Sequence, residues 1–128
     1  MVDALLGKLL IAAAREFNSG RYFEAHEVLE DGLDTVPDDL WDLVLGLIQV
    51  AVGYHKVSRG LLRGATQAFG RALAKLEGFP PRVAQCDLES LRRRVRLDIE
   101  RLRDGHFDTA ALALHPPRLR PVKADQVG

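Results

Sequence analysis

A chain of 128 residues, 47% hydrophobic and 28% charged, has the size and composition of one globular domain with a single core, which excludes disordered and fibrous classes. The formal net charge is zero and Cys86 is the only cysteine, so a dedicated nucleic-acid binder, an internal disulfide and a multi-thiolate zinc site are disfavoured. The sequence holds no Gly-x-x-x-x-Gly-Lys loop, Gly-x-Ser-x-Gly elbow or Cys-x-x-Cys pair, which removes common signatures of nucleotide binding, acyl transfer and thiol redox chemistry.

Hydrophobic spacing is helical almost throughout. A first helix is predicted from Asp3 to about Phe17, stopped by Asn18-Ser19-Gly20. A second runs from Arg21 to about Asp34. Pro37 then breaks the chain, and Asp38 or Asp39 is placed to N-cap a third helix, the most apolar and therefore the central one, which reaches about Arg59. The fourth, about Leu61 to Glu77, brings Leu62, Ala65, Phe69, Ala72 and Leu76 onto one face before Gly78-Phe79-Pro80-Pro81 ends it. A fifth runs from near Asp87 to Asp104 with Leu88, Leu91, Val95, Ile99 and Leu102 inward, and Gly105 stops it. A short helical turn after Asp108 leads into a loose tail containing Pro116, Pro117 and Pro121. No segment alternates as a strand does. The expected fold is all-α, a single-domain antiparallel bundle of about five helices over residues 1–114 with a Pro-containing tail over 115–128.

Gly20 to Ala25, Gly64-Ala65 and Gly105 to Ala110 echo one another, the first resembling the turn of a tetratricopeptide hairpin. The alanines are 40 and 45 residues apart rather than at a fixed repeat of 34. Shared turn chemistry between helical hairpins is the simpler reading. The start, Met1-Val2-Asp3, has no basic segment, and the longest uncharged stretch, Leu43 to Tyr54, is twelve residues, short of the ~18–20 that span a bilayer. A soluble cytoplasmic protein without a membrane partner is expected. Charge is uneven: residues 1–64 carry six basic and ten acidic side chains (−4), and residues 65–128 carry twelve and eight (+4). Arg92, Arg93, Arg94, Arg96, Arg101 and Arg103 crowd the fifth helix, but Asp98 and Glu100 interleave and Arg94 can pair with Asp98 at i,i+4. A solvated face is expected there rather than a nucleic-acid patch. His106 and His115 fall in turn or tail, and Cys86 reads as a plain thiol.

The second and third helices carry the residues that composition does not explain. On a wheel centred on His26, Tyr22, Leu29 and Leu33 fall on one side and Phe23 and Glu30 on the other, all within about 60°. Glu24 and Asp31 project to water and Glu27 lies near the boundary. His26 and Glu30 thus share a face inside an apolar arc, where an unpaired carboxylate is costly. On the third helix His55 emerges from the apolar face of Val44, Ile48 and Ala51, while Gly46 and Gly53 mark a place where another helix comes very close. A hydrogen-bonded core network accounts for such residues, and so does a ligand or catalytic site.

The string Asn18-Ser-Gly20-Arg-Tyr22-Phe23-Glu24-Ala25-His26-Glu27-Val-Leu29-Glu30, followed by Gly46-Leu47-Ile48-Gln49-Val-Ala51 and His55, resembles a small prokaryotic helical family, catalogued as the domain of unknown function numbered 309. The resemblance spans about residues 15–75 and implies an all-α bundle. It also implies a His-x-x-x-Glu-x-x-(Trp/Tyr) motif suspected of binding metal. His26 and Glu30 match that motif; Leu33 stands where the family has an aromatic.

Two functional expectations follow. In the first, His26, Glu30 and His55 hold a divalent, zinc-like ion with an open water position, Glu27 serves as catalytic base, and any reaction is hydrolytic; without metal the same residues form an acid–base pair. In the second, the chain is a non-catalytic interaction module of tetratricopeptide-like hairpins. Expected partners are a small molecule or a protein, a second copy of the chain included. In either case Glu30 is the acid that faces inward, so its truncation is expected to cost more than that of Glu24 or Asp31.

Overall fold

The computed structural model describes residues 4–120. It is an all-α bundle: α1 (Ala4–Asn18), α2 (Tyr22–Asp31), α3 (Trp41–Ser58), α4 (Leu62–Leu76), α5 (Leu88–Arg103) and α6 (Thr109–Leu114). Two 3-10 turns, Leu33–Thr35 and Asp38–Leu40, join α2 to α3. Between α4 and α5 lies a minimal antiparallel pair, β1 (Arg82–Val83) and β2 (Cys86–Asp87), with Val83 opposite Cys86 and Arg82 opposite Asp87. Its two-residue turn holds Ala84 and Gln85 at φ +50° and +62°, a left-handed pair of the kind that closes tight hairpins. The strand spacing is too short to have been visible as alternation.

The helices pair as three hairpins that share one turn. Gly20, Gly60 and Gly105 sit at φ +78°, +74° and +71°. Each glycine N–H donates three residues back, to Phe17, Val57 and Leu102, and the next N–H five residues back, to Glu16, Lys56 and Arg101, at 2.9 Å in each case. This is a Schellman ending, which glycine forms without steric cost. The echo is therefore real, but its middle glycine is Gly60, not Gly64: Ala25, Ala65 and Ala110 each follow the turn glycine by five positions. Ala25 and Ala65 are buried where paired helices cross, and Ala110 is exposed.

As expected, α3 is central, with Leu43, Val44, Leu47, Val50, Ala51, Tyr54 and Val57 buried. Against it α4 packs through Ala65, Phe69, Ala72 and Leu76, all fully buried, whereas Leu62 is exposed. A Cβ on Gly46 would lie 2.5 Å from Leu76 Cδ2, and one on Gly53 2.4 Å from Phe69 Cε1. Those glycines admit the α4 side chains into the α3 backbone. The start of α3 differs from expectation. Its N-cap is Leu40, without a side-chain bond, because Asp38 and Asp39 form the preceding 3-10 turn. Asp87 does cap α5, accepting from the Ser90 N–H at 3.2 Å and its hydroxyl at 2.8 Å.

The segment after α6 is not loose as far as it is described. The Asn18 amide donates to the Leu119 carbonyl and accepts from its N–H, both at 2.8 Å, the Asp87 N–H donates to the Arg120 carbonyl at 3.0 Å, and Leu119 is buried. Pro121 and the remainder of the expected tail lie outside the described residues, as does Asp3. Cys86 is fully buried, and burial pushes its thiol up to about 12. Among the described residues no helix is long and apolar enough to cross a membrane.

Candidate functional site

His26 and Glu30 meet one turn apart on α2, with His26 Nε2 3.1 Å from Glu30 Oε1. The other ring nitrogen, Nδ1, lies 3.2 Å from the Phe23 carbonyl. The carbonyl and the carboxylate both only accept, so each bond requires the proton on the ring nitrogen that faces it. The imidazole is 19% exposed and the carboxylate 53%. Glu30 is therefore paired but not inward-facing, which corrects the wheel. The cause is local: α2 ends at Asp31, and the turn that would have continued over Glu30 is replaced by the 3-10 turn Leu33–Thr35.

His55 is half-buried on α3. The Phe23 ring lies 5.3 Å, centroid to centroid, from His26 and 5.3 Å from His55. The face is thus an aromatic row with phenylalanine in contact with both imidazoles. Among the described residues no group of three or more His, Cys, Asp or Glu side chains is placed to hold a metal ion. The structure brings His26 to Glu30 and Phe23 to both histidines. Glu27 is exposed. Glu24, read as facing water, is half-buried and lines a hollow of about 390 Å³ with Gly20, Tyr22, Phe23, His55, Ser58 and Arg59.

A second polar cluster went unread in the sequence. Asp98, on the helix taken as a solvated arginine face, is completely buried. The Tyr54 hydroxyl donates to its Oδ2 at 2.5 Å, Arg94 Nε to Oδ2 at 2.9 Å, and an Arg101 guanidinium N–H to Oδ1 at 3.2 Å. Burial, reinforced by the Asp98 charge and hydrogen bond, holds the Tyr54 phenol well above its ordinary value; burial pushes neighbouring Tyr22 up to about 12. Arg92 is buried as well, donating to the Leu76 and Phe79 carbonyls at 2.7 and 2.8 Å, where it ties down the end of α4 and complements its dipole. Arginine density on α5 is therefore partly structural. A signal did exist: Leu91, Val95, Asp98 and Leu102 follow one another at helical spacing, which puts Asp98 on the inward stripe. Its partner Tyr54 is 44 residues away, beyond any local pattern.

The family model described as Domain of unknown function (DUF309) matches residues 10–68, a span that holds His26, Glu30, Tyr54 and His55 and stops before α5. No curated protein matches the chain.

Proposed function

We infer, for a chain whose residues 10–68 match the DUF309 family model, a non-catalytic binding module: a stack of helical hairpins that offers its α2–α3 face to a small molecule or a protein partner. The observation that carries this reading is Phe23. It is a large apolar side chain, 45% exposed, with an imidazole on either hand and a 390 Å³ hollow at its edge. A half-exposed aromatic adds little to the fold and gains when something covers it. The hollow surrounds that ring with a guanidinium, a hydroxyl and a carboxylate (Arg59, Ser58 and Glu24), the mixture of apolar wall and few polar groups that recognition sites use. Phe23→Ala is expected to change unfolding free energy by less than about 1 kcal/mol; a larger loss would make Phe23 a core residue and remove the support.

A second reading is favoured by the His26 ring. Its Nδ1 faces a carbonyl and its Nε2 faces a carboxylate, the orientation in which a metal-binding histidine is commonly held. In that reading His26 and Glu30 take a divalent, zinc-like ion, with His55 and Glu27 as candidate further ligand and base, and a hydrolytic reaction follows. Metal analysis of protein purified without a histidine tag separates the two. The binding module carries no stoichiometric metal. One equivalent, lost in both His26→Ala and Glu30→Ala, would establish the cation site in its place.

A further inference from the structure

We propose that the cleft between α5 and α6 binds a small organic anion, a carboxylate or phosphate ester with an apolar body. The cleft encloses about 340 Å³, at the lower end of the range for small-molecule sites. Beyond α6 the chain is pinned to α1 by the paired bonds between Asn18 and Leu119, and Arg94 holds the end of α6 through the His115 carbonyl at 2.6 Å.

Its polar groups are unequally engaged. Both Asp98 oxygens are taken, by Tyr54 and Arg94 on one and Arg101 on the other. The Asp108 carboxylate accepts from the Ala110 N–H at 2.9 Å. Arg94 is divided between Asp98 and the His115 carbonyl. Arg101 is different: its side chain is 45% exposed, it lines the cleft, and its only side-chain bond among the described residues is the one to Asp98. A guanidinium has five N–H donors in a planar fork suited to carboxylate or phosphate. The imidazoles of His106 and His115 line the same cleft. Asp98 is fully engaged and Asp108 spends one oxygen on the start of α6 and turns the rest of its exposed carboxylate to solvent, while the Arg101 guanidinium keeps donors to spare, so the group that complements Arg101 is acceptor-rich and anionic. The lining is also apolar in part: Leu97, one turn before Arg101 on α5, is exposed, and Leu112 is the one buried residue of α6. An apolar body would cover Leu97 while its anionic end meets Arg101.

The test titrates the ¹⁵N-labelled full chain with phenyl phosphate and benzoate. Inorganic phosphate serves as the anion without a body and benzyl alcohol as the body without charge. Saturable shifts of the amides of residues 105–115 and of the Arg101 Nε–H are expected with phenyl phosphate, with benzoate, or with both, which tells the two anion classes apart. Arg101→Gln should weaken that binding about tenfold, one charge-assisted contact, and Arg93→Gln, which changes an exposed arginine of α5 outside the cleft, should not. Ala111→Phe fills the cleft without altering charge and should abolish binding in a chain whose Arg101 is intact. Non-saturating shifts, equal binding of benzyl alcohol, or affinity retained in Ala111→Phe would overturn the proposal.

Discussion

The α3–α4 and α5–α6 hairpins begin from the same turn and end as different objects. Both place glycine near φ +70° and close the helix with the same pair of backbone bonds. After that turn α4 runs for 15 residues with a stripe of alanine, phenylalanine and leucine that sinks into Gly46 and Gly53 of α3. By contrast α6 runs for six residues and buries only Leu112. Turn chemistry sets the direction of the returning helix; length and small residues at the crossing decide whether the hairpin seals. Where it seals the molecule has core, and where it does not it has a cleft with a buried carboxylate at its wall.

The strongest way to break this comparison is to remove the carboxylate that ties the open hairpin to the sealed one. Asp98 on α5 joins Tyr54 on α3 to two arginines. Asp98→Ala would leave a buried hydroxyl without its acceptor and the half-buried Arg94 without its counter-charge. Urea unfolding is expected to show a loss of about 3–5 kcal/mol, the range for breaking a buried pair from one side. Tyr54→Phe deletes one donor and keeps both arginines, so about 1–3 kcal/mol is expected. A loss for Asp98→Ala no greater than for an exposed acid would show that the network does not hold the two regions together.

Gly53→Ala sharpens the comparison from the sealed side. The added methyl would meet the Phe69 ring at 2.4 Å, and overpacking of about 1–3 kcal/mol should exceed the roughly 1 kcal/mol by which alanine favours a helix. Ala111 on α6 is exposed, and its replacement by leucine should stay within about 0.5 kcal/mol. Equal losses in the two variants, read from urea midpoints, would mean that α6 is packed as tightly as α4.

Alkaline pH probes the same contrast without mutation. Cys86, Tyr22 and Tyr54 have raised pKa values chiefly because burial penalises their charged forms, the first two to about 12. A group raised in the folded state gives its full stabilisation below its unfolded value, about 8.5 for Cys and 10 for Tyr, and loses it as pH climbs toward the folded value. Stability should therefore fall between pH 8 and pH 10, by roughly 1–2 kcal/mol from Cys86 alone, and continue falling above pH 10 as the tyrosines join. Cys86→Ala should flatten the first part of that decline in chemical denaturation. An unchanged pH dependence in that variant would show that the thiol is not sealed.

What the sequence disclosed follows the range of each interaction. Ala65, Phe69, Ala72 and Leu76 recur at helical spacing, so the α4 face was legible, and two glycines seven residues apart announced the close approach that Leu76 and Phe69 make. The shared turn was visible through its alanines, although only φ distinguishes Gly60 from Gly64 as the turn residue. Asp98 and Arg92 were hidden by company: among six arginines a charge reads as solvent-facing, and what overrules that reading is a tyrosine on another helix or the open end of α4. The candidate face was half legible. The wheel paired His26 with Glu30, but it could not know that α2 ends one residue after Glu30 or that Phe23 would touch both histidines.

That early end of α2 yields the smallest expected effect. With Glu30 buried, its truncation would leave an imidazole facing an apolar arc and cost what an unpaired buried group costs. With Glu30 53% exposed, water replaces the lost carboxylate, and the pair contributes only as an exposed i,i+4 contact, about 0.2–0.5 kcal/mol. Glu30→Ala and Asp31→Ala should then unfold within about 0.5 kcal/mol of each other. Glu24→Ala, from a half-buried carboxylate beside the hollow, should cost no less than either. Matched urea melts of the three variants decide it: a loss above about 1 kcal/mol confined to Glu30→Ala would mean that its carboxylate is enclosed in solution, and the face would be a buried polar site rather than an open one.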